Sequence, residues 1–315
     1  LVRKFLNFAG PAVYVVMIIL MIAIWAEVGG SLLSEVGNIF SSGTRSGGFE
    51  GLGSFGAFLA VFSIMVGYFA AVVINFGDFA RFVKNEEEMK KGNLYGLVGN
   101  VVFFSFITLM ITGGTIALFG EYVAQPTDMV AKVDNIFLTI VAAFAFFAAT
   151  VGINMVANFI PPAYDLANLM PSKINFRTGG LITAGFGFVI GGMWVAVITK
   201  MGIFPFVNTL GAILAPVFGI MITDYYIIKK QKIDVNALFN EGKGKYWYND
   251  GFNLKGMVAW ILSGYIAIGS VWPNILPGGL GNFFANLGGG GGYAWIIGAS
   301  LGAVVHLAIS SAGKK

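Results

Sequence analysis

The chain has 315 residues, 57% of them hydrophobic and 11% charged, and a mean hydropathy of +0.81. A soluble domain carries roughly a quarter charged residues, so this sequence cannot solvate a globular surface. It has no cysteine, which excludes disulfides and thiolate metal sites. Its net charge of +4 is spread over loops rather than gathered on a soluble domain, which argues against a nucleic-acid partner.

Apolar runs of about 18 or more residues recur along the whole length without a period of two. The pattern predicts an all-α, polytopic transmembrane helical bundle with eight spans, near residues 11–30, 56–80, 95–120, 137–160, 178–199, 203–228, 255–272 and 293–312. The first span follows Arg3 and Lys4, but no small-residue cleavage pattern follows it, so it reads as a span and not a signal peptide. The chain opens without an initiator Met, and truncation at this end is expected.

The second span runs through MVGYFAAVVINFGDFARF, residues 65–82. Gly67 in mid-span permits a kink, and Tyr68 and Phe69 offer flat surfaces for stacking. Asp78 and Arg81 stand at i, i+3, placed to pair with each other or across a gate. The fourth span runs into GINMVANFIPPAYDLANLMP, residues 152–171. Asn154 and Asn158 share a helical face with Thr150 and offer both donors and acceptors. Such a face suits a planar ligand with alternating N–H and C=O groups, or hydrogen bonding between helices. Pro161 and Pro162 remove two donors and clash with carbonyls one turn back, marking either a cavity-lining break or a plain helix end.

In the sixth span, Asn208 and Thr209 are placed to line a path, and Pro216 and Gly219 to hinge the helix. Asp224-Tyr-Tyr before Lys229-Lys230 reads as an interfacial anchor. The Gly-rich stretches 41–56 and 278–292 read as flexible connectors. With the amino terminus in the cytoplasm, sixteen of the nineteen basic residues fall on the inner side, and only Arg45, Lys132 and Lys200 fall outside. The positive-inside rule therefore predicts a multi-pass cell-membrane protein with both ends of the chain cytoplasmic.

Catalytic chemistry finds little support. His306, the only histidine, has no second ligand at metal spacing and reads as a packed residue. No nucleophile elbow or phosphate loop is present, and GGGGG at 288–292 lacks the Lys-Ser/Thr ending of one. No enzyme activity and no cofactor is expected.

Four stretches carry a resemblance: NFGDFARF at 75–82, GINMVANFIPPAYDLANLMPSKINFRTGG at 152–180, PVFGIMITDYYIIKK at 216–230 and KYWYNDGFNLKG at 245–256. In this order they resemble the nucleobase–cation symporter family, which includes cytosine, purine, uracil, allantoin and hydantoin permeases. The resemblance implies a leucine-transporter-like fold of two inverted five-helix repeats and two extra helices. It makes the chain a single transporter domain lacking about four amino-terminal helices. Residues 1–30 would be the last helix of the first repeat, 56–228 the second repeat, and 255–312 the two extra helices.

The implied activity is import of a nucleobase or related small heterocycle, coupled to a proton or sodium ion, by alternating access across the lipid bilayer. The implied substrate contacts are Gly67 with the ring of Tyr68 or Phe69, Phe69 being preferred, and Asn158 with Asn154 one turn before it. A sodium site in the family's manner would fall at Ala149, Thr150, Gly152 and Ile153. Here Gly152 and Ile153 stand where hydroxyl side chains are expected, and a hard cation wants about six oxygens. Proton coupling or weakened sodium dependence is therefore expected. The alternatives are a non-transporting receptor, scaffold or remnant of the same fold, and a transporter of another solute such as an amino acid. Which heterocycle is carried, and the oligomeric state, are not legible.

Overall fold

The computed structural model describes residues 2–42, 52–121, 123, 128, 132, 136–238 and 244–312. Arg45, Lys243, Lys314, Lys315 and most of the Gly-rich 41–56 stretch lie outside the described residues, as do the side chains of Arg3 and Lys4. Among the described residues six helices are long and apolar enough to cross a membrane: Asn7–Val28, Glu86–Phe119, Thr139–Leu169, Phe204–Ile228, Leu254–Val271 and Ala294–Ser311. They coincide with six of the eight expected spans.

The other two differ in kind. The expected span 56–80 is a broken helix made of α3 (Ser54–Tyr68), α4 (Ala70–Ile74) and α5 (Phe76–Ala80). The expected span 178–199 is helical over Phe176–Met193, but Arg177 and its many glycines dilute its apolarity, and it is not among the six. The remaining labels are α1 (Val2–Val28), α2 (Ser31–Ser42), α6 (Glu86–Asn93), α7 (Asn100–Phe119), α8 (Ile136–Ile153), α9 (Ile160–Leu169), α10 (Phe176–Met193), α11 (Ile203–Ile222), α12 (Leu254–Val271), α13 (Leu280–Leu287) and α14 (Ala294–Ser311).

The chain divides into two compact units: residues 1–46 with 77–187, and residues 47–76 with 188–315. In the first unit α1, α2, α7 and α8 share a core of Val16, Met17, Leu20, Ile24, Leu32, Ile107, Met110, Ile111, Ala142 and Ala145. Two glycines of α7 make this packing possible. A Cβ on Gly114 would meet Ile24 Cγ2 at 2.1 Å, and one on Gly113 would meet Val36 Cγ2 at 2.6 Å. α10 is seated in the same way, because a Cβ on Gly179 would meet the Ala163 carbonyl oxygen at 2.6 Å.

In the second unit α11 and α14 meet backbone to backbone. A Cβ on Gly219 would fall 2.0 Å from the Ala299 carbonyl oxygen, and one on Gly302 would fall 2.5 Å from that of Pro216. Gly298 faces Ala215 and Ala267, which brings α12 into the same seam. Lipid tails are as apolar as leucine, so close van der Waals contact through small residues, not burial from water, drives this association. Pro216 lies inside α11, and one turn before it Trp260 Nε1 donates to the Ile213 carbonyl at 2.8 Å.

The stretch 278–292, expected to be a flexible connector, is instead built. It contains α13, and Gly281 lies so close to Pro273 that a Cβ there would stand 2.0 Å from that residue's carbonyl oxygen. The left-handed φ values of Gly278, Gly279, Gly289, Gly290 and Gly291 turn the chain at its two ends. Nearby, the Tyr265 hydroxyl donates to the Ile275 carbonyl at 2.8 Å.

Substituting into the seam tests this packing. Gly302→Val is expected to lower stability by about 1–3 kcal/mol, read as a fall in the unfolding midpoint of the purified protein in detergent. Gly264→Ala, on α12 with open space around its Cα, is expected to stay within about 0.5 kcal/mol of the parent.

Candidate functional site

In the first unit the helix that begins at Ile136 does not end at the two prolines. It passes through a π-helical turn, Asn154–Phe159, and continues as α9 to Leu169 with the prolines in its first turn. The plain helix end, one of the two readings of Pro161-Pro162, is therefore overturned. Proline lacks an N–H, which is least costly where hydrogen bonding is already being re-registered. The Ile160 N–H reaches back to the Met155 carbonyl, five residues earlier, and so carries the shift. π turns of this kind are rare and occur frequently at functional sites.

The turn sets the asparagine geometry. Asn154 Nδ2 donates to the Thr150 carbonyl at 2.9 Å, and Asn158 Nδ2 donates to Asn154 Oδ1 at 2.7 Å. The two amides thus form a directional ladder along one exposed face. Each rung uses one amide N–H and one oxygen, so Asn158 Oδ1 and a further N–H on each amide are left for other partners.

The neighbouring residues offer few oxygens. Gly152 is buried and has no side chain, Ile153 is exposed and apolar, and Ala149 is half-buried. The Thr150 carbonyl accepts from Asn154, and the Thr150 hydroxyl is the one side-chain oxygen among the four. By themselves these four residues offer one side-chain oxygen, against the about six oxygens a hard cation takes. Also within the first unit, Arg81 lies 3.7 Å from Asp78, and its guanidinium sits 4.9 Å over the Tyr164 ring. Of the two pairings open to Asp78 and Arg81, the pairing with each other is present.

In the second unit the kink expected at Gly67 falls two residues later. α3 ends at Tyr68, Phe69 takes φ −91° and ψ 9°, and the helix restarts at Ala70. Gly67 instead serves close packing, since it is buried and a Cβ on Gly211 of α11 would stand only 3.2 Å from its Cα. The break leaves the Tyr68 ring exposed and the Phe69 ring half-buried, edge to face with centroids 5.1 Å apart. Thr209, read from sequence as lining a path, instead donates to the Pro205 carbonyl and accepts from Trp272 Nε1 at 2.8 Å.

A further polar group lies past the end of α11, which passes into another π turn, Thr223–Ile228; Leu94–Gly99 and Trp194–Ile198 are π turns as well. Lys229 Nζ stands 2.6 Å from Asp224 Oδ2, 3.4 Å from the Tyr248 hydroxyl and 4.9 Å from the centre of the Tyr246 ring. Burial works against the Lys229 ammonium, but the hydrogen bonds and charges of Asp224 and Tyr248 together outweigh it and raise its pKa above the ordinary lysine value. The pair's contribution to stability is therefore present below that ordinary value and lost only as pH rises through the raised one. This group and the π turns were not legible in the sequence, although the proline pair after Phe159 is a signal for the first turn.

The family model for permeases for cytosine/purines, uracil, thiamine and allantoin matches residues 1–298. The chain belongs to this family. It is 32% identical over 276 residues to an allantoin permease of Bacillus subtilis, covering 87% of this chain and 54% of that protein. It is 26% identical over 256 residues to a hydantoin permease of Microbacterium maritypicum, covering 77% and 48% respectively. The chain spans about half the length of these curated relatives. Its structure superposes on the inward-facing conformation of Mhp1 with a TM-score of 0.65 at 22% identity, over 99% of this chain and 62% of that one. The fold is all-α and leucine-transporter-like, in a multi-pass membrane protein.

The ladder can be tested on its own. Asn154→Ala removes both rungs and is expected to lower stability by about 1 kcal/mol. Asn158→Ala, which spares the Asn154–Thr150 bond, is expected to cost less in the same detergent unfolding assay.

Proposed function

We propose that the protein containing this chain is a secondary active transporter that imports a nucleobase or related small heterocycle, of the cytosine, uracil, purine, allantoin or hydantoin type. It works by cation symport and alternating access. Membership of a permease family supports the class, and relatives named as allantoin and hydantoin permeases support the ligand chemistry. The observation that carries the site is the Asn154–Asn158 ladder on a π turn. Asn158 and Asn154 supply hydrogen bonds to the ring edge, and Gly67 with Phe69, or with Tyr68, supplies the flat stacking surface. Residues 1–30 are the last helix of one repeat, 56–228 the second repeat, and 255–312 the extra helices, with both ends of the chain cytoplasmic.

The coupling ion is a proton, or else a sodium ion with weakened dependence. The residues Ala149, Thr150, Gly152 and Ile153 support this reading, since they contribute one side-chain oxygen toward the about six a hard cation takes.

Uptake of labelled allantoin, uracil and cytosine by the full-length protein tests the proposal. Asn158→Ala is expected to weaken substrate affinity by about 10-fold or more, the loss of a hydrogen bond in a desolvated site. Phe69→Ala should do the same, and a larger effect from Tyr68→Ala would move the stacking role to Tyr68. If Asn158→Ala and Phe69→Ala both leave affinity unchanged, the site is wrong. Uptake should persist without sodium and collapse with a proton uncoupler, and the opposite result refutes proton coupling.

A further inference from the structure

The first unit carries an apolar groove that the asparagine ladder does not use. It lies between the end of the π turn Asn154–Phe159 and the first half of α10. Its lining is Phe159, Phe176, Arg177, Gly180, Leu181 and Ala184. Its volume is about 350 Å³, within the range of sites that hold small organic molecules. A Cβ on Gly180 would stand 2.9 Å from Phe159 Cζ, so the Phe159 ring lies against the bare backbone of α10. Beside it Phe176, Leu181 and Ala184 are exposed. Apart from Arg177, no residue of the lining has a side-chain donor or acceptor.

The groove has one charged end. Arg177 stands in the first turn of α10, shortly after the membrane-crossing segment Thr139–Leu169 ends. Its level is therefore the membrane–water interface, and the groove runs from there into the apolar layer. From Phe176 to Ala184 the helix advances about 12 Å.

No anion of the protein answers this charge. Arg177 is exposed and takes part in none of the ion pairs among the described residues. Between Leu166 and Gly187 the chain carries Lys173 and Arg177 and no carboxylate. The neighbouring guanidinium is different. Arg81 lies 3.7 Å from Asp78 and over the Tyr164 ring, whose centre is 4.7 Å from that of Phe176. One cation at this end is balanced and the other is not.

This combination selects its occupant. A nucleobase-like heterocycle needs donors and acceptors along its edge, which the apolar walls do not offer. A free anion gains nothing from those walls. A phospholipid with an anionic headgroup suits both ends, since its phosphate meets the paired N–H donors of a guanidinium and its tail meets apolar side chains.

We propose that this groove binds an anionic phospholipid, its phosphate on Arg177 and one acyl chain against Phe159, Gly180, Leu181 and Ala184. The unbalanced charge of Lys173 and Arg177 favours an anionic headgroup over a zwitterionic one. Phe159 closes the π turn that carries the ladder, so the lipid packs directly against that turn. The site rests on the membrane-spanning fold alone and is independent of which substrate or coupling ion is used.

The test is native mass spectrometry of the full-length protein, delipidated in detergent and titrated with phosphatidylglycerol or phosphatidylcholine. For the first lipid bound, phosphatidylglycerol is expected to bind about fivefold tighter or more. Arg177→Gln should remove that preference. Ala184→Trp fills the groove and should weaken both lipids by about tenfold, the loss of roughly two buried methylene groups. Both positions are exposed, so neither substitution is expected to disturb folding. Equal affinity of the two lipids for the parent protein, or a preference that survives Arg177→Gln, overturns the proposal. A groove covered instead by protein, from elsewhere in the full-length chain or from a second copy, would leave lipid binding indifferent to Ala184→Trp, and that result overturns it too.

Discussion

Everything in the second unit depends on how closely two backbones approach. At Gly219 and Gly302 there is no room for a single methyl group, because the carbonyls of Ala299 and Pro216 occupy the space. In lipid no gain from removing apolar surface from water remains to hold helices together, so such contact has to supply the attraction itself. The same logic recurs in the first unit, where Gly113 and Gly114 let α7 meet α1 and α2. The abundance of glycine, 45 residues, is thus partly a packing device and not only a source of flexible loops.

Lipid also forces the treatment of polar groups. Each one inside a span must find a partner within the protein. Asn154 and Asn158 bond to each other and to the Thr150 carbonyl. Trp260 and Trp272 place their indole N–H groups on Ile213 and Thr209. Among the described residues the exceptions are Ser263 Oγ and the two ring nitrogens of His306, of which Nε2 stands 3.6 Å from Asp224 Oδ1.

The sequence made a large part of this legible. Apolar runs located six membrane-crossing helices, because span length follows from bilayer thickness and needs no tertiary information. The i, i+4 spacing put Asn154 and Asn158 on one face, and they do bond to each other. Three kinds of feature were hidden. A π turn depends on one shifted backbone bond and leaves only an indirect trace, here the proline pair. The folding of 278–292 depends on Gly281 and Gly269 receiving Pro273 and Leu276, and a run of glycines looks the same whether it is packed or free. The His306–Asp224 approach joins residues 82 positions apart, which no local pattern encodes.

The glycine seam also has a dynamic consequence. An interface made of side chains adjusts by rotamer changes, absorbing small displacements a few tenths of an ångström at a time. Where carbonyls sit against bare Cα atoms there are no rotamers to change, so a small slip of α14 along α11 meets hard repulsion. Packed surfaces of this kind deform poorly and shift between discrete arrangements if they shift at all. α11 and α14 are therefore mechanically one body, and a force applied to the end of either is carried the length of both.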